Sequence, residues 1–323
     1  MTGFSTRVAV LGCSVALAAS GLAVGAPAGA DPAARADFQW VALGDSYTAG
    51  VVGAAGNTYE VPRDGCQRTD QSYPVIIERD LGSLFDAVNV SCGGATIEDV
   101  TVKAQEPFGY HLPVFGIEDP DYPFPAVAPQ DDVVRDDTDV ITVGVGGNTL
   151  GFGEILGQCA LTGNGQGTPC KDKFAGDIQA RLDTVEQQYT RMLAALHERA
   201  SKAKILTIGY PAVIPADTTK CEYDNTEHFG KITRSDLDWL RQNVLEALNE
   251  RIKKSTGTQQ AATFVDLYES SKDHSVCDDE NKWVEGLTRR GSDELALVHP
   301  NAAGQRHAAD RVEAAMLDAV FTR

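Results

Sequence analysis

Gln39-Trp40-Val41-Ala42-Leu43-Gly44-Asp45-Ser46-Tyr47-Thr48-Ala49-Gly50 is the stretch that decides the fold. Trp40 to Leu43 is apolar without interruption, as in a parallel strand covered on both faces. Gly44 and Asp45 then break the run, and Ser46 follows at once. In open α/β sheets the carboxyl ends of the strands form the ligand crevice, so Ser46 stands where a reacting group would be placed. Gly44-Asp45-Ser46 is a short motif and weak alone. It is not the G-x-S-x-G nucleophile elbow, because position 48 is threonine. Its position after a strand is what gives it weight.

Five short apolar runs read as buried strands: Gln39–Leu43, Ala87–Ser91, Asp139–Val145, Ala203–Gly209 and Thr263–Leu267. Helical patterns lie between them. From Asp177 to Ala200, apolar residues recur at three- and four-residue spacing. Ser235 to Lys254 repeats the pattern, with Ser235 as its expected cap, and Ala302 to Phe321 forms a last helix. Strand and helix alternate, which predicts an α/β fold with a doubly wound parallel sheet. No repeat or linker divides residues 31–323, so one domain is expected there. Two stretches break the rhythm. Glu106 to Pro129 carries six prolines and several aromatics, and Pro211 to Phe229 follows the fourth run. Both are expected as long loops, which commonly carry binding surface on a rigid sheet.

The chain has 323 residues, with 28 Lys+Arg against 46 Asp+Glu and a formal net charge of −18. That excludes general nucleic-acid binding, which rests on clustered Lys and Arg. It also offers no attraction to anionic membranes. Residues 1–30 have the layout of a secretory signal: Arg7, an apolar stretch of small residues from Val8 to Gly25, and the small-x-small site Ala28-Gly29-Ala30. Cleavage is expected after Ala30, leaving a secreted protein without stable membrane insertion. Removing Cys13 leaves Cys66, Cys92, Cys159, Cys170, Cys221 and Cys277. An even count in an oxidising compartment reads as three disulfides, for which many pairings are possible. Order along the chain favours neighbours: Cys66–Cys92, Cys159–Cys170 and Cys221–Cys277.

A nucleophilic serine needs a base, and acyl transfer needs donors for the oxyanion. His299, in Leu297-Val298-His299-Pro300-Asn301 just before the last helix, is the candidate base. Candidate donors follow the second strand, in Cys92-Gly93-Gly94-Ala95-Thr96, and the third, in Gly146-Gly147-Asn148. Glycine lets a backbone N–H approach a ligand closely, and the asparagine amide is a side-chain donor. Asp278-Asp279-Glu280 lacks the spaced ligands of a calcium loop and reads as a solvated face. No cofactor motif occurs, and none is expected.

With these blocks in order from Ser46 to His299, the sequence resembles the SGNH hydrolases, the GDSL lipase/esterase family. It resembles especially the secreted actinobacterial esterases and lipases with three disulfides. The resemblance implies a three-layer α/β/α, flavodoxin-like fold with a five-stranded parallel sheet. It implies Ser46 as nucleophile, His299 as base, and an oxyanion hole of the Ser46 and Gly94 N–H groups with the Asn148 side chain. It also supports the neighbour pairing of cysteines. Two departures stand out. Thr149 replaces the family's aspartate after Asn148, which leaves a supporting hydrogen bond open. Ala296 replaces the aspartate three residues before the histidine. His299 is then oriented by the Ala296 backbone carbonyl, giving a dyad, or by a carboxylate from Asp293 or Glu294, giving a triad, or by neither. The expected function is hydrolysis of carboxylic esters, lipid or fatty-acyl, by a monomer. The alternatives are a polysaccharide O-acetyl esterase and a non-catalytic exported binding module. The loop from Phe108 to Pro125 is read either as an apolar acyl-binding wall or as rigid surface packing.

Overall fold

A computed structural model describes residues 36–51, 62–113 and 116–322. The expected signal segment and its cleavage site at residues 1–30 lie outside the described residues. Along the chain run β1 (Phe38–Gly44), α1 (Ser46–Ala49), α2 (Tyr73–Leu81), β2 (Phe85–Asn89), α3 (Ile97–Thr101) and β3 (Val140–Gly144). Then come α4 (Gly147–Leu150), α5 (Phe152–Thr162), α6 (Pro169–Phe174), α7 (Ile178–Arg199) and β4 (Lys204–Ile208). The rest is α8 (Arg234–Trp239), α9 (Ala247–Thr256), β5 (Ala262–Val265) and α10 (Ala302–Phe321).

The five strands form one sheet in the order β2-β1-β3-β4-β5, every pair parallel. This is the flavodoxin-like order, with its switch point between β1 and β3. Period-two alternation sends side chains to two separate cores. Val41, Leu43, Ile141, Val143 and Ile205 pack with α7 and α9 on one face. Trp40, Ala42, Val140, Leu206 and Val265 pack with α2 and α10 on the other. The result is a three-layer α/β/α sandwich. Burying each large apolar side chain in these cores contributes about 1.5–3 kcal/mol.

Element boundaries move where side chains end the ladder. β2 spans Phe85–Asn89 rather than the expected 87–91, because Asn89 Oδ1 accepts from both Ser91 N and Ser91 Oγ and turns the chain. β5 stops at Val265 for the same reason, as Asp266 Oδ1 accepts the N–H groups of Tyr268 and Glu269. The helix expected over 235–254 starts one residue earlier, with Thr233 rather than Ser235 capping Asp236 N. It also contains a π-helical stretch, Leu240–Glu246, across which Arg241 pairs with Glu246 at 2.7 Å. The cysteines join as neighbours, Cys66–Cys92, Cys159–Cys170 and Cys221–Cys277. Among the described residues, no helix is long and apolar enough to cross a membrane.

Candidate active site

Gly44 ends β1 at φ +155°, opposite Gly144 of β3. A side chain at 44 would meet Thr48 Oγ1 at 2.2 Å and the Gly144 carbonyl at 2.6 Å, so the tight exit into α1 requires glycine. The buried Gln130 amide grips this exit, accepting from Gly44 N at 2.8 Å and donating to Gly44 O at 2.9 Å. Asp45 caps α1 by accepting from Tyr47 N at 3.0 Å. Ser46 is thereby the first helical residue, and its N–H is one of the helix-start donors without an intrahelical partner.

His299 Nε2 lies 2.8 Å from Ser46 Oγ, and His299 Nδ1 lies 2.9 Å from the Ala296 carbonyl oxygen. The same carbonyl accepts the His299 N–H at 3.1 Å. This return is made by Leu297 and Val298, both in the left-handed region at φ +48° and +58°. Val298 is β-branched, and such a residue there is strained. Neither expected carboxylate reaches the ring: Asp293 is exposed, and Glu294 pairs with Arg289 at 3.3 Å. A carbonyl accepting from Nδ1–H leaves Nε2 unprotonated and facing Ser46, the tautomer a base needs. Burial pushes the His299 pKa below its ordinary value, against the opposing pull of the Ala296 carbonyl.

The donor side is built from the exits of β2 and β3. Gly94 takes φ +80°, and among the described residues no acceptor occupies its N–H. The preceding turn is held by the Cys66–Cys92 disulfide, by Gly93 N donating to Cys66 O at 2.8 Å, and by Gln105 Nε2 donating to Gly93 O at 2.8 Å. Asn148 Nδ2 donates one hydrogen to Ala95 O at 2.9 Å, which leaves its second amide hydrogen for a ligand. Thr149, in the place of the aspartate, accepts Ile97 N on Oγ1 at 2.9 Å. The two donor turns are thus tied together twice.

Sequence reasoning missed two tyrosines. Tyr47 packs its ring against His299 with centroids 5.1 Å apart and donates its hydroxyl to Val298 O at 2.6 Å. Tyr210, just beyond β4, reaches Asp45 and Gly147. The available signal was position: Tyr210 follows a strand's carboxyl end, like the other site residues. The aromatic loop reaches the site through Phe108, whose ring a side chain at Gly94 would strike at 2.4 Å. Arg63 fastens that loop through Asp119 and Asp121 and stacks over Tyr110 and Phe124. The acidic run at 278–280 is taken up by partners: Asp278 and Glu280 pair with Lys220 and Arg290, and Asp279 is hydrogen-bonded to His228 Nε2 at 3.1 Å.

The sequence model of the GDSL-like lipase/acylhydrolase family matches residues 42–307. An esterase of Streptomyces scabiei is 32% identical, over 90% of this chain and 91% of its own length. Lipase 2 of Streptomyces coelicolor is 30% identical, over 88% of this chain and 86% of its own. The crystal structure of an extracellular lipase from Streptomyces rimosus matches with a TM-score of 0.64 at 22% identity, covering 86% of this chain and 99% of that one.

Proposed function

The chain belongs to the GDSL-like lipase/acylhydrolase family and is a carboxylic ester hydrolase, and on that premise we propose that it cleaves lipid or fatty-acyl esters outside the cell through a Ser46–His299 dyad. The observation that carries this reading is the unbroken line from Ser46 Oγ through both nitrogens of His299 to the Ala296 carbonyl.

His299 Nε2 takes the Ser46 proton as Oγ attacks the acyl carbon. The oxyanion is bound by the Ser46 and Gly94 N–H groups and by the free hydrogen of Asn148 Nδ2. The imidazolium, steadied on Nδ1 by the Ala296 carbonyl, protonates the leaving alcohol. It then activates water against the acyl-enzyme and returns the proton to Ser46. A carbonyl stabilises the imidazolium less than a carboxylate would, and burial lowers the His299 pKa as well, so the ring stays neutral and able to take the Ser46 proton to lower pH, but as a weaker base.

Export is supported by the signal layout of residues 1–30, with cleavage after Ala30, and by three disulfides, which persist in oxidising compartments. A lipid acyl group is supported by Phe108, 39% exposed beside the Gly94 donor. Purified protein from Asp31 onward, assayed on p-nitrophenyl esters of rising acyl length with Ser46→Ala as control, tests the reading. Hydrolysis lost in Ser46→Ala and rising with chain length supports it. Activity confined to acetate moves the substrate to polysaccharide O-acetyl groups, and no turnover on any ester overturns it.

A further inference from the structure

Asp45 is a carboxylate that ester hydrolysis does not use, yet it is 1% exposed and adjoins the nucleophile. Its Oδ1 accepts Tyr47 N, and its Oδ2 accepts the Tyr210 hydroxyl at 2.5 Å. The same hydroxyl accepts Gly147 N at 2.7 Å. One oxygen atom therefore bridges the residue before Ser46 and the residue before Asn148. Any side chain at Gly147 would press on it, because an added Cβ lies 3.2 Å from the Tyr210 hydroxyl. The bridge is itself fixed: Asn249 of α9 accepts from Tyr210 N at 2.8 Å and donates to Tyr210 O at 2.9 Å.

We propose that Tyr210 is a positioning residue for the hydrolysis assigned above, setting the spacing between the nucleophile turn and the Asn148 turn, and that the proton state of Asp45 decides whether that spacing holds. With Asp45 ionised, every hydrogen in the bridge has an acceptor. Protonation on Oδ2 aims a second donor at the Tyr210 oxygen and leaves the Tyr210 hydrogen buried with no acceptor in line. The groups facing Asp45 are tyrosines from every side: Tyr47 of α1, Tyr73 of α2, Tyr189 of α7 and Tyr210 after β4. Among the described residues its interactions include no Lys or Arg, and burial pushes its pKa up to about 6, against the lowering effect of the Tyr210 and Tyr47 hydrogen bonds. The bridge thus changes state near pH 6.

The proposal rests on the Ser46–His299 reading, and the experiment separates the two. Steady-state hydrolysis of p-nitrophenyl acetate is followed against pH for the wild type, Tyr210→Phe, Asp45→Asn and Ser46→Ala. In the wild type, protonating His299 removes the base and protonating Asp45 costs about tenfold, so log kcat/KM climbs on the acid side with a slope that exceeds one where Asp45 titrates. Tyr210→Phe removes the bridge, and Asp45→Asn locks it in its mismatched state. In either variant the slope falls to about one, and kcat drops about tenfold while KM stays within about twofold. Wild-type slope and kcat in a folded Tyr210→Phe, with only its melting temperature changed, overturn the proposal. If Tyr210→Phe does not fold, Asp45→Asn decides: the lower slope supports the proposal and the wild-type slope overturns it. Hydrolysis that survives Ser46→Ala overturns the underlying functional reading instead.

Discussion

The Tyr47 hydroxyl donates to the Val298 carbonyl at 2.6 Å, so the residue after Ser46 holds the residue before His299. The bond closes over 251 residues of sequence and pins a turn that is strained at both Leu297 and Val298. Tyr47→Phe keeps the ring against His299 and removes this restraint. The expected result is a fall in kcat/KM of about tenfold, read on p-nitrophenyl acetate, from looser registration of the imidazole against Ser46.

Asn148→Ala removes the side-chain donor of the proposed oxyanion group. Loss of such a donor lowers kcat by about 10²–10³ with little change in KM. The fold survives in this variant, because Thr149 still receives Ile97 N. A melting temperature close to wild type with kcat intact would remove Asn148 from the hole.

Asp45 gives a stability prediction with a definite sign. Its pKa is raised in the fold from 3.8 to about 6, so between these values the folded state holds a proton that the unfolded state has released. Stability from this group is therefore full at low pH and is lost as pH rises to about 6. The shift corresponds to about 3 kcal/mol of buried-charge cost at neutral pH. Asp45→Asn should melt higher than wild type above pH 6, and the gap should close in acid. Equal melting curves at both ends would count against a raised pKa.

Phe108→Ala leaves the hydrogen-bonding groups in place and removes the ring beside Gly94. The specificity constant for long acyl esters should fall by about 1–3 kcal/mol in transition-state binding, with acetate little affected. A uniform loss across chain lengths would assign the ring to packing.

The disulfides should divide by consequence. Cys221–Cys277 closes a separation of 56 residues, and its double serine variant should lose about 4 kcal/mol by chain entropy while its kcat holds. Cys66–Cys92 closes 26 residues and braces the Gly93-Gly94 turn, so its removal should lower kcat as well as the unfolding midpoint. Paired melting and kinetics on the two variants check this.

Much of the arrangement was legible in the chain because it is local to strand ends. Gly44-Asp45-Ser46, Gly93-Gly94 and Gly147-Asn148 each follow an apolar run, and the strand order puts the first and last of these on either side of the switch point. The rest depends on groups that meet only in three dimensions. Tyr210 finds Asp45 across 165 residues, and Gln305 of α10 accepts from Tyr73 N while donating to Tyr47 O. Nothing near Tyr210 or Gln305 in sequence marks these partners. The left-handed pair Leu297-Val298 was equally hidden, since β-branched residues disfavour that conformation and only tertiary restraint holds it. Strand ends at Asn89 and Val265 shifted because side-chain turns outcompeted the apolar pattern.

Ser46 and His299 stand 253 residues apart, on the first strand's exit and the last helix's approach. A ribosome therefore makes the serine long before the imidazole. Until the segment that carries His299 arrives and α10 docks beside α2, the growing chain displays the Ser46 hydroxyl without its proposed base. Order of synthesis alone therefore withholds the proposed dyad from the unfinished chain.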